Sequence, residues 1–147
     1  MTRVDFYILP ETDSEARLRF TCRIVEKAWK QGHQVFIATA DAVQAEQLNR
    51  ILWAFKPESF VPHHRQDIDQ IPSTIAIGSA TECGDHHDLL INLCAEIPLY
   101  FSRFQRLIEV VCQQDHILSA TRQHFAFYRE RGYPIKSHDM RTSANSN

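Results

Sequence analysis

The chain has little glycine, with four in 147 residues. Nucleotide-binding turns in parallel α/β proteins need glycine where the backbone approaches a phosphate at a helix N-terminus. The turn after the first apolar run, Leu9-Pro10-Glu11-Thr12-Asp13, has none and carries two carboxylates that would repel phosphate. No Gly-x-x-x-x-Gly-Lys-Ser/Thr motif occurs either. The sequence therefore argues against a nucleotide-dependent enzyme.

The chain also lacks a strong charge imbalance and a long apolar run. Sixteen basic and eighteen acidic residues give a net charge of -2, so we expect no direct DNA binding by the protein as a whole. No apolar segment approaches the length of a bilayer span, so no membrane association is expected. The four cysteines have no Cys-x-x-Cys spacing and no secretion signal ahead of them, which indicates reduced thiols in a cytoplasmic protein.

Apolar runs alternate with amphipathic helical patterns along the chain. Capping patterns, in which a side chain binds the free amides of a helix start, occur at Thr12 with Glu15 and at Asp41 with Gln44. A last helix is predicted from Asp115 as its cap to Arg131, ended by Gly132. The predicted strands are 4–9, 34–38, 74–77, 89–93 and, as the last one, 107–111.

This alternation predicts a Rossmann-like three-layer α/β fold, with a mainly parallel sheet and helices on both faces. Residues 1–136 should form a single domain, with a polar loop over 65–73. Residues 137–147 are rich in Ser, Thr and Asn and should form a polar, disordered C-terminal tail.

The stretch 52–64 places large apolar side chains where a helix ends. Pro57 and Pro62 forbid a helix across it, so the apolar residues fall at a helix end and in a loop. They either fold back onto the core or contact a partner, and we favour the partner surface. The residues concerned are Trp53, Phe55, Phe60, Val61 and Pro62.

The last predicted helix carries a second candidate surface. Arg122, Phe125, Ala126 and Arg129 follow the i, i+3, i+4, i+7 spacing and therefore line up on one side. The arginines could simply be solvated, and few further cations support a nucleic-acid patch. A guanidinium beside an aromatic ring instead suits an acidic peptide that ends in a hydrophobic residue.

A metal-dependent or nucleotide-binding enzyme on the same fold is the alternative. Its support is a group of side chains that transition metals accept as ligands, although their spacing matches no familiar zinc pattern. We expect a solvated turn rather than a metal or a cofactor there. The residues are His63, His64, Cys83, His86 and His87.

The sequence resembles the chi-subunit family of bacterial DNA polymerase III. The most specific likeness is Leu52-Trp53-Ala54 followed by Glu58-Ser59-Phe60-Val61-Pro62-His63. Weaker matches follow in the family's order, so that the likeness runs from the first strand through the last helix. They are Phe6-Tyr7, Leu89 to Leu93, Glu109-Val110-Val111, Tyr128-Arg129 and Gly132-Tyr133.

The resemblance implies a non-catalytic adaptor of the clamp-loader assembly. One surface of such proteins binds the psi subunit, and by motif match it includes Trp53 and Phe60. Another surface holds the acidic, phenylalanine-ended tail of single-stranded DNA-binding protein. By motif match, Arg122 corresponds to the family's arginine that grips this tail, and Phe125 stands where the family has an aromatic residue. The resemblance leaves room for a third partner, such as a repair helicase.

This chain departs from the family pattern around Arg122. Leu118 and Ala126 stand where the related site has lysines, so the basic surround is thinner. The segment from Cys112 to Asp115 is also shorter, which changes the apolar wall of the pocket. Arg129 or Arg131 could replace the missing cations.

Overall fold

The computed structural model describes residues 1–54, 64–65 and 74–141, and they contain one parallel sheet. Seven strands pair in the order β3-β4-β2-β5-β6-β1-β7. Each registered pair is parallel, as the alternation of strands and helices predicts. The strands are β1 (Arg3–Ile8), β2 (Val35–Ala38), β3 (His64–Arg65), β4 (Ile75–Gly78), β5 (Leu89–Asn92), β6 (Arg106–Val111) and β7 (Ile135–Asp139).

The first two helices, α1 (Ser14–Lys30) and α2 (Ala42–Ala54), begin at side-chain caps. The predicted cap of α1 is wrong by one residue, because Asp13 rather than Thr12 accepts a hydrogen bond from the Glu15 amide, at 2.9 Å. Asp41 caps α2 as predicted, accepting from the Gln44 amide at 2.8 Å. None of the helices in the described ranges is long and apolar enough to cross a membrane.

The third helix, α3 (Asp115–Glu130), begins without the predicted side-chain cap. Gln114 occupies the cap position, and Asp115 is the first helical residue. A carboxylate in the first turn still interacts favourably with the helix dipole. Gly132 follows the helix with φ 79°, a left-handed conformation that glycine adopts at little cost, and it ends α3 where the sequence predicts.

Two buried clusters lie on opposite faces of the sheet. Residues of α1 and α2 pack with inward side chains such as Val35, Ile91 and Ile108 on one face. On the other face, α3 and the segment with a short 3-10 helix (Phe101–Arg103) pack against Phe6 and Leu107. Helices thus cover both faces of a parallel sheet, which confirms the three-layer α/β fold.

The strand β7 was not predicted, and it corrects the end of the domain. The apolar run now assigned to β6 is not the last strand, because Ile135–Asp139 pairs in parallel register with β1, as in Val4↔Ile135 and Ile8↔Asp139. Residues 137–139, which the sequence places in a disordered tail, therefore belong to the sheet. Residues 142–147 lie outside the described part, as does most of the predicted loop 65–73.

Candidate partner-binding surfaces

The cation and aromatic stripe predicted from the sequence lies on the outer side of α3. Arg122 and Arg129 are exposed, whereas Phe125 and Ala126 are partly buried. The Phe125 ring packs on the core side against Phe6, with ring centroids 5.6 Å apart. Arg129 lies over the same ring, with Cζ 5.8 Å from its centroid, within cation–π range. The stripe therefore joins a core-anchored aromatic to two surface cations.

The guanidinium of Arg122 makes no hydrogen bond or ion pair with any residue in the described ranges. The side chains one turn away on either side, Leu118 and Ala126, are uncharged and partly buried. Arg122 therefore presents all five of its N–H donors to the surroundings, in the planar fork that fits a carboxylate.

A buried polar network fixes α3 from beneath. The Glu109 carboxylate on β6 accepts hydrogen bonds from Tyr128 Oη at 2.9 Å, Asn92 Nδ2 at 3.1 Å and His124 Nδ1 at 3.1 Å. All four residues are buried. His124 and Tyr128 lie on the buried side of α3, and the stripe lies on its outer side. The network therefore fixes the orientation in which the helix exposes the stripe to solvent.

The surroundings of His124 favour protons on both ring nitrogens. Nδ1 faces the Glu109 carboxylate, and Nε2 lies 2.7 Å from the Ala95 carbonyl oxygen. A carboxylate and a carbonyl oxygen both accept hydrogen bonds, so this geometry favours the ring that is protonated on both nitrogens. Burial alone would lower the pKa of His124, but the hydrogen bond and the charge of Glu109 outweigh it and hold this pKa above its ordinary value.

Sequence reasoning missed this network as part of the site. Its signal is the charge of Glu109 in the middle of an apolar strand, because a buried carboxylate needs partners to offset its desolvation. His124 and Tyr128 appear in the sequence only as inward positions of a helix. Their contact with Glu109 depends on how α3 is placed over β6.

The aromatic segment is only partly described. Trp53 lies in the last turn of α2, and the residue is 53% exposed. This exposure is high for such a large apolar residue and is compatible with a partner contact. The other predicted members of this surface, Phe55, Phe60, Val61 and Pro62, lie outside the described residues.

The histidine and cysteine group gives no metal site among the described residues. Cys83 is buried, and its Sγ accepts a hydrogen bond from Arg103 Nη1 at 3.3 Å. Burial, more than any neighbouring charge, raises the pKa of this thiol, which disfavours the thiolate that a metal needs. His63 and the side chain of His64 lie outside the described part.

These observations describe a Rossmann-like α/β protein whose recognisable surface features are an exposed cation and aromatic face on α3 and an exposed tryptophan on α2. A family model described as DNA polymerase III chi subunit, HolC, matches residues 1–136. The chain therefore belongs to the DNA polymerase III chi-subunit family, and the resemblance seen in the sequence is confirmed.

Individual relatives carry the same name. The DNA polymerase III subunit chi of Pseudomonas aeruginosa is 45% identical over 140 residues, which cover 95% of this chain and 98% of that protein. The chi subunits of Haemophilus influenzae and Escherichia coli are 28% and 27% identical, over 92% and 93% of this chain and 95% and 97% of their own lengths. The similarity thus spans nearly the whole of each protein.

Proposed function

We propose that this protein is a non-catalytic adaptor of the DNA polymerase III clamp-loader assembly in the cytoplasm. In this role it links the psi subunit to the acidic C-terminal tail of single-stranded DNA-binding protein. The observation that carries the tail-binding half is the exposed guanidinium of Arg122, which has no partner among the described residues, one turn from the core-anchored ring of Phe125. Family membership supports the psi-binding half.

The chemistry of the α3 stripe fits the end of an acidic peptide. Arg122 can hold the terminal carboxylate with two parallel hydrogen bonds, while Phe125 offers an apolar edge to a terminal aromatic side chain. Because Leu118 and Ala126 bring no charge, Arg129 is the nearest cation on the stripe for the acidic residues that precede the peptide end. We therefore expect an interaction that weakens as salt screens these charges.

The direct test is fluorescence polarisation of a labelled acidic peptide ending in Asp-Ile-Pro-Phe, titrated with the full chain at low and moderate salt. The same peptide without its terminal Phe is the control. Binding that needs the Phe and falls with salt supports the proposal. Equal binding of both peptides would show that only bulk charge attracts them, and absence of binding would remove this function.

Replacing Arg122 by Ala should weaken binding of this peptide by about tenfold or more, because a charge-assisted hydrogen bond contributes roughly 1.5 to 3 kcal/mol. Arg50→Ala is the matched control. Arg50 is an exposed arginine on α2, which packs on the opposite face of the sheet from α3. It should leave the affinity within about twofold. If both variants lose the same affinity, the assignment of Arg122 is wrong.

Replacing Trp53 by Ala should break or greatly weaken the complex with a psi subunit, since exposed interface tryptophans commonly contribute about 2 kcal/mol or more. Co-purification and calorimetry with psi measure the loss. Val43→Ala is the control, because Val43 is also apolar and 67% exposed but lies in the first turn of the same helix. A psi complex unaffected by Trp53→Ala would contradict this surface.

A further inference from the structure

The strands β1 and β7 lie at one edge of the sheet. Helix α1 packs beside this edge and does not fully cover it. The inward side chains of α1, such as Leu18, Cys22 and Val25, pack in the cluster that contains Ile108 and Val110 of β6. On the same face, Lys136 of β7 is exposed, and Tyr7 of β1 is only partly buried. This end of the sheet therefore offers a partly open face beside the wall formed by α1.

A row of neighbouring aromatic and cationic groups crosses this face from α1 to the outer strand. The Arg23 guanidinium lies 5.4 Å from the centroid of Phe20, and Phe20 is 5.4 Å from Tyr7. Tyr7 in turn stacks on His138 of β7, with centroids 4.3 Å apart and ring planes within 8°. All three rings are partly exposed, so flat π surfaces reach the protein surface here.

Positive charge surrounds this row. Arg3 and Arg106 are register partners on β1 and β6, so their side chains lie next to each other on this face. Lys136 on β7 is the register partner of Asp5 on β1. Lys27 lies one turn beyond Arg23 on α1. Arg3, Arg23, Lys27 and Lys136 are exposed and make no ion pair with any residue in the described ranges.

The Asp5 carboxylate, in the middle of this face, is already neutralised. Asp5 Oδ2 accepts a hydrogen bond from Arg106 Nε at 2.7 Å, and its Oδ1 lies 3.0 Å from His138 Nε2. Burial alone would raise the pKa of Asp5, yet Arg106 and then His138 outweigh that effect and lower this pKa below its ordinary value. The face therefore keeps a net positive charge in a protein whose overall charge is -2.

We propose that this face binds single-stranded nucleic acid. Phosphates would contact the surrounding cations, and bases would stack on the outer surfaces of the His138 ring and the Arg23 guanidinium, a combination that proteins use to bind single strands without sequence preference. The whole-chain charge argues against DNA binding only on average, and this charge is local. The inference goes beyond the proposed adaptor function and does not depend on it, because the α3 stripe lies on the opposite face of the sheet.

A single strand fits this face better than the other anionic partners. An acidic peptide would use the cations, but its carboxylate side chains have no flat group to stack on the rings. Duplex DNA would offer phosphates while its bases stay stacked on one another and out of reach. The exposed rings among the cations therefore favour unpaired bases.

The test is fluorescence polarisation of a labelled oligothymidylate of about 20 nucleotides, long enough to cover a single-strand site, titrated with the full chain over a range of salt. The double variant Lys27→Gln/Lys136→Gln removes two exposed cations that make no hydrogen bond within the described chain. If each contacts one phosphate, the slope of log affinity against log salt should become less steep by about 1.4, and affinity should fall on the order of tenfold.

The control variant Arg50→Gln/Arg131→Gln removes the same charge from α2 and from the end of α3. It should bind the oligonucleotide nearly as the unmodified chain does. Equal losses for the two double variants would overturn the proposal, as would absence of binding at low salt. A duplex of the same length and the acidic peptide are tested in the same way. If either binds more tightly than the oligothymidylate and loses that affinity only in the Lys27→Gln/Lys136→Gln variant, the proposal is overturned and that ligand is the occupant of the face.

Discussion

Replacing Glu109 by Ala is expected to lower the free energy of unfolding by roughly 3 to 5 kcal/mol, the range seen when one partner of a buried ion pair is removed. The variant leaves His124 Nδ1 and the Tyr128 hydroxyl without the carboxylate that each now contacts. It also frees Asn92 Nδ2 from its charged partner, although that amide keeps the Glu96 carbonyl at 3.2 Å. Urea unfolding followed by circular dichroism measures the change.

Two comparisons separate the network from a general loss of side-chain volume. Glu109→Gln keeps the shape and an acceptor oxygen but removes the charge, so it should lose less stability than Glu109→Ala. Glu130→Ala removes an exposed carboxylate from the end of α3 and should change stability by no more than about 0.5 kcal/mol. If Glu109→Ala is as stable as Glu130→Ala, the network does not hold α3 in place.

The pH dependence of stability gives the same prediction a second readout. Because the pKa of His124 is raised in the folded protein, its contribution is fully present below the ordinary value of 6.5 and is lost as pH rises through the higher folded pKa. The unmodified chain should therefore lose this stability above pH 6.5, whereas Glu109→Ala should show a flatter profile. A profile unchanged by Glu109→Ala would assign the titration to other groups.

The sequence predicts the central sheet well because its strands are buried on both faces. Parallel strands under two layers of helix appear as short, nearly continuous apolar runs, and β2 and β5 are buried at every position. The start of α2 can be predicted equally well, since Asp41 caps it through a contact with Gln44, only three residues away. Local spacing and composition decide both features.

β7 could not be predicted in the same way, because it is a polar edge strand. Lys136, Ser137 and Asp139 are exposed, so the segment shows neither an apolar run nor a clean alternation. It is a strand because its backbone pairs with β1, which lies more than a hundred residues earlier in the chain. Such a contact is decided by the tertiary fold and leaves little trace in local composition.

The candidate site shows the same difference between features set by local spacing and features set by tertiary contacts. The α3 stripe depends only on the helical repeat, so Arg122, Phe125 and Arg129 could be grouped from the sequence. The packing of Phe125 on Phe6 and the placement of His124 against Glu109 depend on how α3 lies over the sheet. The sequence thus predicts which residues share a helix face, while the fold determines which of them are held rigidly.

Ending the chain after Lys136 is expected to destabilise it by roughly 2 to 4 kcal/mol, taking about 1 kcal/mol for each lost ladder hydrogen bond and cross-strand contact. This truncation removes the register partners of Phe6, Tyr7 and Ile8. Tyr7 loses the ring that stacks on it, and one oxygen of Asp5 loses its hydrogen-bond partner, His138. Urea unfolding of the truncated and complete chains measures the difference.

A chain ended after Arg141 is the matched control, because it keeps all of β7 and removes only residues 142–147. It should unfold within about 0.5 kcal/mol of the complete chain, since it loses none of the contacts described for the sheet. If the two truncations are equally stable, the domain ends at Lys136 as the composition of the tail suggests, and β7 adds nothing to the fold. If only the shorter one is destabilised, the polar edge strand is part of the cooperative unit, and the face formed by β1 and β7 is a fixed surface.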